Sequence, residues 1–250
     1  MERRSTQVPV DFDESYFDRH VLFHTHIAKS AGTSILDALT DMLGPDAVMN
    51  YNLSPTPEAA VPSLSVGRRR SLKLLSGHFW YGTQDRHFDR RPIYLAAVRD
   101  PIERFISLFH FALVDGAHPL YREFDTRGVD GSARWFFLER PRFANEMSNS
   151  LGVPNGMNPI DWLEQRYAIV TPTARADSLI ARLYEIFAPD REPRVWRSNP
   201  ASSAAFMLSA TVAEECRAAA TGDVLLCRQV EDRYEAWLHN LRARLQRLRS

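Results

Sequence analysis

The segment FHTHIAKSAGTSILDAL, Phe23 to Leu39, carries one of only two lysines in a chain that uses arginine almost everywhere else. Lys29 stands directly before a run of small and hydroxylated residues: Ser30, Ala31, Gly32, Thr33 and Ser34. A compact ammonium beside such a turn suits an oxyanion, because small residues let backbone N–H groups come close and the hydroxyls can donate alongside them. The order is not that of a Walker A loop, in which the lysine follows the glycines. An ordinary strand-to-helix turn with a solvated lysine fits this segment alone equally well.

A second segment, VRDPIERFISLFHF, shifts the balance toward a ligand site. Arg99 ends an apolar run and Ser107 lies two turns into the helix that follows. Arg104 and Ser107, three apart, share a face of that helix. Two anion sites on one sheet edge suit a ligand with two separated anionic groups. The competing reading pairs Arg99 with Asp100 or Glu103. His24 and His26 share a strand face, but a lone H-x-H is more often structural, and no Asp/His cluster has metal-ligand spacing, so no metal is expected.

The elements that must hold these residues can be outlined from pattern. VLFHTHI (21–27) is a β-rich run; Ile35, Leu36, Leu39, Met42 and Leu43 then share one helical face, which Gly44-Pro45 ends. Strand, tight turn and helix together aim a positive dipole end at an anion. LKLLSGH (72–78) and IYLAAVR (93–99) are near-continuous apolar runs that suit a parallel sheet covered on both faces. Asp100 as cap, Pro101 at the first helical position and Glu103 completing a capping box start the next helix.

Other segments carry weaker patterns. Residues 44–71, rich in proline and serine, are expected to form a long loop with at most a short helix. Residues 116–166 read as mixed short helices and loops. YAIVT (167–171) and RVWRS (194–198) are weaker strand candidates around a helix at 174–187. From Thr211 the tail is helical. Its stripe of Val230, Tyr234, Trp237, Leu241, Leu245 and Leu248 is expected to pack on its own domain, with a homodimer through that helix as the alternative. The alternation predicts an α/β fold, an open parallel sheet flanked by helices. An N-terminal arm over 1–20 would precede one domain over 21–250.

At 250 residues, 44% hydrophobic and 25% charged, the chain can bury one sizeable core. Acidic and basic residues balance at 31 each, so composition offers no field for nucleic acid or an anionic membrane, and any anion site is local. No stretch reaches the ~20 apolar residues of a membrane helix, and the first twenty residues lack the apolar core of a signal peptide. Cys216 and Cys227 have no metal-ligand spacing and read as free thiols of a reducing compartment. The run of arginines at 68–70 is a minor candidate for steering an acidic acceptor.

HIAKSAGTS resembles the HIPKTAGTS phosphosulfate loop of the sulfotransferase family that contains the Golgi carbohydrate sulfotransferases and many bacterial relatives. RDPIERFISLF resembles that family's RDPxxRxxSxY segment, including the eight-residue step from arginine to serine. SGHFWYG is similar to its GH segment, and NEMSNSLG (145–152) to its NxMTRxLxG stretch. The four occur in the family's order from about residue 21 to 152, with weaker similarity beyond.

The resemblance implies a P-loop-like fold and the donor 3′-phosphoadenosine 5′-phosphosulfate (PAPS). Lys29, Ser30, Ala31, Gly32, Thr33 and Ser34 would cradle the 5′-phosphosulfate, while Arg99 and Ser107 would hold the 3′-phosphate. His78 matches the histidine that serves as base in the family's uronosyl 2-O-sulfotransferases. Four positions depart from the pattern. Ala28 replaces the usual proline, Ser30 a threonine and Phe109 a common tyrosine. Ser76 sits where the 2-O enzymes have a second histidine, so their substrate cannot be inherited.

These positions fit in-line attack of an acceptor hydroxyl on sulfur. Lys29 would stabilise charge on the leaving oxygen. An imidazole, ordinarily with a pKa of about 6.5, can take the hydroxyl proton near neutral pH, which makes His78 the natural base. The expected protein is a bacterial, cytoplasmic sulfotransferase acting on a carbohydrate or glycolipid hydroxyl, without a metal. An ATP-dependent kinase is disfavoured by the lysine's position and the lack of a Walker B partner. A non-catalytic nucleotide- or glycan-binding module is the other alternative.

Overall fold

β1 (His20–Thr25) is the central strand of the fold's sheet. The computed structural model describes residue 12 and residues 14–53, 57–194 and 206–247. Within them β1, β2 (Val48–Asn50), β3 (Leu74–Gly77), β4 (Arg91–Val98) and β5 (Tyr167–Pro172) form one sheet in the order β2-β3-β1-β4-β5. Every adjacent pair is parallel. The chain passes from β1 outward to β2, returns to β3, then crosses to β4 and on to β5. Connections therefore diverge at β1 and β4, and the crevice beyond their C-terminal ends is the ligand position of an open α/β sheet.

Burial explains the apolar runs: β1, β3 and β5 are buried along their whole length and β4 from Ile93 onward. Two buried polar side chains in β1 have partners. The His20 Nδ1–H donates to the Tyr16 carbonyl at 3.0 Å, and His24 Nδ1 lies 2.8 Å from Ser76 Oγ on β3. Tyr16 and Phe17, in a helical turn at Glu14–Phe17, are buried against the same core.

Helix α1 (Gly32–Leu43) buries Ile35, Leu36 and Leu39, and stops where Gly44 turns to φ 85° while its N–H still bonds the Thr40 carbonyl. Helix α2 (Pro101–Val114) begins at Asp100, whose side chain accepts from the Ile102 and Glu103 amides. The expected capping box is only half made. Glu103 turns instead to Arg99, at 3.4 Å.

Residues 44–71 differ most from expectation. They contain the edge strand β2 and a helix at Val66–Ser71, capped by Ser65. Its arginines serve the local backbone and a neighbouring carboxylate. Arg68 donates to the Asp46 carbonyl, Arg69 to that of Leu64, and Arg70 pairs with Asp89. They sit before the start of β3, at the sheet end opposite the crevice, which removes them from acceptor steering.

Helix α3 (Ala176–Phe187) packs beside α1 and is tied to it by the Tyr184 hydroxyl on Asp41, at 2.7 Å. The C-terminal stripe lies in helix α4 (Thr221–His239) and the helix Leu241–Arg247. Val230, Tyr234, Trp237, Leu241 and Leu245 are all buried in the main core, so this chain itself uses the apolar face that a homodimer would need. Leu248, and residues 195–198 of the RVWRS strand candidate, lie outside the described residues. No helix among the described residues is long and apolar enough to cross a membrane.

Candidate active site

The loop from β1 to α1 is built for close backbone approach. Lys29 and Ala31 both adopt positive φ, 64° and 58°, which costs a non-glycine residue roughly 1–2 kcal/mol. The first i→i−4 bond of α1 runs from the Ile35 amide to the Ala31 carbonyl at 3.2 Å, and no side chain caps the helix. The amides of Gly32, Thr33 and Ser34 therefore face the loop without a helical acceptor, the arrangement that holds anions at helix N-termini. Ser30 is fully buried, and its Oγ has no hydrogen-bond partner among the described residues.

Lys29 is half-buried, with its ammonium 4.2 Å from the centre of the Phe111 ring on α2. Burial first, and then the Arg99 charge, hold its pKa below the ordinary lysine value. Arg99, just past the end of β4, reaches across the crevice, and its Nη1 donates a long bond, 3.5 Å, to the Lys29 carbonyl. Lys29 and Arg99 are thus brought together. Ser107 is buried on α2, one turn before Phe111. The Arg99–Glu103 pair that sequence offered as the alternative also forms. Glu103 is 66% exposed, however, so the pair contributes little and leaves the guanidinium available.

His78 follows β3, and the 51–52 loop after β2 fixes its backbone: the amide donates to Asn52 Oδ1 at 2.8 Å. Its Nδ1–H donates to the His26 carbonyl. That bond occupies Nδ1 and leaves Nε2 as the ring nitrogen not engaged by the His26 carbonyl. The three histidines line up, with ring centres 5.5 Å apart for His24–His26 and 4.8 Å for His26–His78. Burial first, and then the His78 and Lys29 charges, push His26 down to about 4. Its ring lies over Gly32, where a Cβ would meet His26 Cδ2 at 2.1 Å. That contact links the histidine row to the β1–α1 loop.

Three supporting residues were not found from sequence. Asn52 sits in the stretch expected to be loop. Cys227 donates from Sγ to the Arg99 carbonyl at 3.2 Å and lines a cleft of about 330 Å³ beside Arg99 with Thr173 and Glu231. Phe111 could have been found, since it lies four residues after Ser107 on the same helical face.

The NEMSNSLG stretch is tied to the C-terminal helix α4. Asp223 of α4, fully buried, accepts from the Met147 and Ser148 amides and from Ser148 Oγ, while Asn145 accepts the Asp223 amide. Burial raises the Asp223 pKa despite these bonds. Arg104, 1% exposed, pairs with Glu146 at 2.8 Å without hydrogen-bond alignment, so it keys α2 to this knot rather than facing the crevice.

Residues 15–168, well over half of the chain, match the sulfotransferase family. The chain belongs to that family. The matched region contains the β1–α1 loop, Arg99, Ser107 and His78, whereas α3 and α4 fall outside it. No curated protein matches the chain. Membership of the sulfotransferase family gives the chain a reaction class, sulfuryl transfer to an acceptor.

Proposed function

We propose that this protein transfers a sulfuryl group from PAPS to a hydroxyl of a carbohydrate or glycolipid. The observation that carries the reading is the uncapped first turn of α1, where Lys29 and Arg99 meet at the β1/β4 crevice of a sulfotransferase-family chain. The Gly32, Thr33 and Ser34 amides and Lys29 hold the 5′-phosphosulfate, with Ser30 and Ala31 shaping the loop. Arg99 and Ser107 take the 3′-phosphate. His78 Nε2 removes the acceptor proton as the hydroxyl oxygen bonds to sulfur. The sulfur–oxygen bond to the phosphate breaks, and 3′-phosphoadenosine 5′-phosphate (PAP) leaves with the charge that Lys29 stabilises.

Thermal unfolding with PAP, ADP and ATP tests this reading. A ligand at a hundred times its Kd adds about 2.7 kcal/mol to stability, which raises Tm by about 5–10 °C in a domain of this size. PAP should give such a shift and ADP, which lacks the 3′-phosphate, little. Equal shifts with ATP and PAP would overturn the donor assignment and favour a kinase.

A further inference from the structure

Lys29 forms no ion pair with a carboxylate among the described residues. The titratable groups that face it are Arg99 beyond β4, His26 beyond β1 and His118 beyond α2, all of them basic. Burial first, with Asp115 opposing and Lys29 adding, holds His118 below the ordinary histidine value. A half-buried ammonium in such company is pressed to lose its proton or to turn out into water. Its one favourable neighbour is the Phe111 ring, whose centre is 4.2 Å away, within cation–π range.

The ring is placed by the same helix that serves Arg99 and Ser107. α2 starts at the Asp100 cap, buries Ser107 and carries Phe111 one turn later on the same face. Phe111 is 38% exposed, so its identity is not dictated by the core. The His118 ring meets it nearly at a right angle, 82°, with centres 5.6 Å apart. His118 is fixed in turn: its Nδ1 accepts the Leu120 amide at 3.1 Å, and its own amide donates to the Asp115 carbonyl at 2.8 Å. The turn that ends α2 therefore holds the ring that Phe111 leans on.

We infer that Phe111 is a positioning residue for sulfuryl transfer, whose ring face keeps the Lys29 ammonium charged and seated at the β1–α1 loop until the donor arrives. This rests on the reading of Lys29 as the group that meets the phosphosulfate. A ring attracts a cation without neutralising it, whereas a carboxylate in its place would pair with the ammonium and repel an anionic donor. The contact also yields to the charge-assisted bonds that phosphate oxygens offer. Phe111 acts through Lys29 and takes no part in the bond changes itself.

The test exploits a chain with only two lysines, Lys29 and Lys73. Reductive methylation with 13C-formaldehyde gives each a methyl signal in NMR spectra, assigned with Lys73→Arg. The Lys29 signal should lie upfield through the Phe111 ring current and should move when PAP is added. Phe111→Leu keeps apolar bulk and removes the π face. It should abolish the upfield displacement, lower the Lys29 pKa by roughly 0.5–1 unit and weaken PAP binding about three- to tenfold. Phe111→Tyr should restore all three. In a Lys29→Ala background, Phe111→Leu should leave PAP affinity unchanged. A Lys29 signal without ring-current displacement, a pKa that does not fall in Phe111→Leu, or the same loss of PAP affinity in both backgrounds would overturn this inference alone. Wild type that fails to bind PAP would overturn the donor reading and this role with it.

Discussion

Gly32→Ala isolates the contact that joins the histidine row to the β1–α1 loop. The new Cβ would lie 2.1 Å from His26 Cδ2, 2.4 Å from Nε2 and 2.7 Å from Cγ. Carbon atoms in contact normally sit about 3.5–4.0 Å apart, so ring or helix start must move by more than an ångström. The ring has little room, with the His24 and His78 rings 5.5 and 4.8 Å away. Gly32 is not at positive φ, so the substitution tests space rather than backbone strain. Helix propensity alone favours alanine by up to about 1 kcal/mol, while overpacking costs about 1–3 kcal/mol. With a clash this close the upper part of that range applies, leaving a net loss of about 1–2 kcal/mol. Tm should fall by about 2–8 °C, and PAP binding should weaken, because the amides of the first turn shift. Adding His26→Ala should restore stability, with a coupling of at least ~1 kcal/mol between the two sites. Refutation would be Gly32→Ala unfolding at or above the wild-type temperature, or an additive double mutant; either would mean that the ring does not rest on the helix start.

Lys29→Ala should lower kcat by ~10²-fold or more, the scale of one lost oxyanion donor, and Lys29→Arg should not fully restore it; an active arginine variant would return Lys29 to a solvated role. Arg99→Ala should weaken PAP binding by about 2–4 kcal/mol, and adenosine 5′-phosphosulfate, lacking the 3′-phosphate, should be a poor donor; equal efficiency of the two donors would count against Arg99 and Ser107. His78→Ala should keep PAP affinity but lose ~10²–10⁴-fold in turnover and flatten the acid limb of the pH–rate profile; near-normal turnover would move the base to His26, Asp85 or Glu103. His26 has a folded pKa of about 4 against 6.5 in the unfolded chain, so its neutral form contributes stability that is full above pH 6.5 and is lost as pH falls toward 4. The loss is up to about 3 kcal/mol, and urea unfolding of His26→Asn should show a correspondingly shallower acid dependence, with an unchanged slope ruling out the buried neutral ring.

The parts of the candidate site whose positions were legible in sequence are those that local physics dictates. Parallel strands buried on both faces must be apolar runs, so β1, β3, β4 and β5 were visible, and with them the positions of Lys29, His78 and Arg99 beyond strand ends. β2 was not visible. Three half-buried residues, Val48–Asn50, are too few to show a period, yet the turn that follows supplies Asn52 to the His78 amide. Asp223 was equally hidden, because its partners Met147 and Ser148 lie some seventy-five residues away and nothing local marks a carboxylate that will be buried. Arg104 misled through correct reasoning: it shares a face with Ser107, but Glu146 meets it before the crevice does. His26 looked structural as one half of an H-x-H pair. Its contact with Gly32 exists only because the loop between them turns through Lys29 and Ala31 at positive φ.

Those two backbone conformations need an explanation, since glycine would adopt them without strain and the sequence uses lysine and alanine. The buried face of α1 can hold the loop from one side through Ile35, Leu36 and Leu39. From the other side the Arg99 guanidinium bonds the Lys29 carbonyl, and the Cys227 thiol bonds the Arg99 carbonyl in turn. Arg99 thus helps to shape the loop that carries Lys29. The arrangement also sets two positive groups against one another, which contributes to the lowered Lys29 pKa. A ligand with separated anionic groups converts that repulsion into attraction at both ends, whereas a single small anion relieves only one. This is the physical argument for the proposed donor, which carries phosphate at two positions, over one carrying its charge in a single chain.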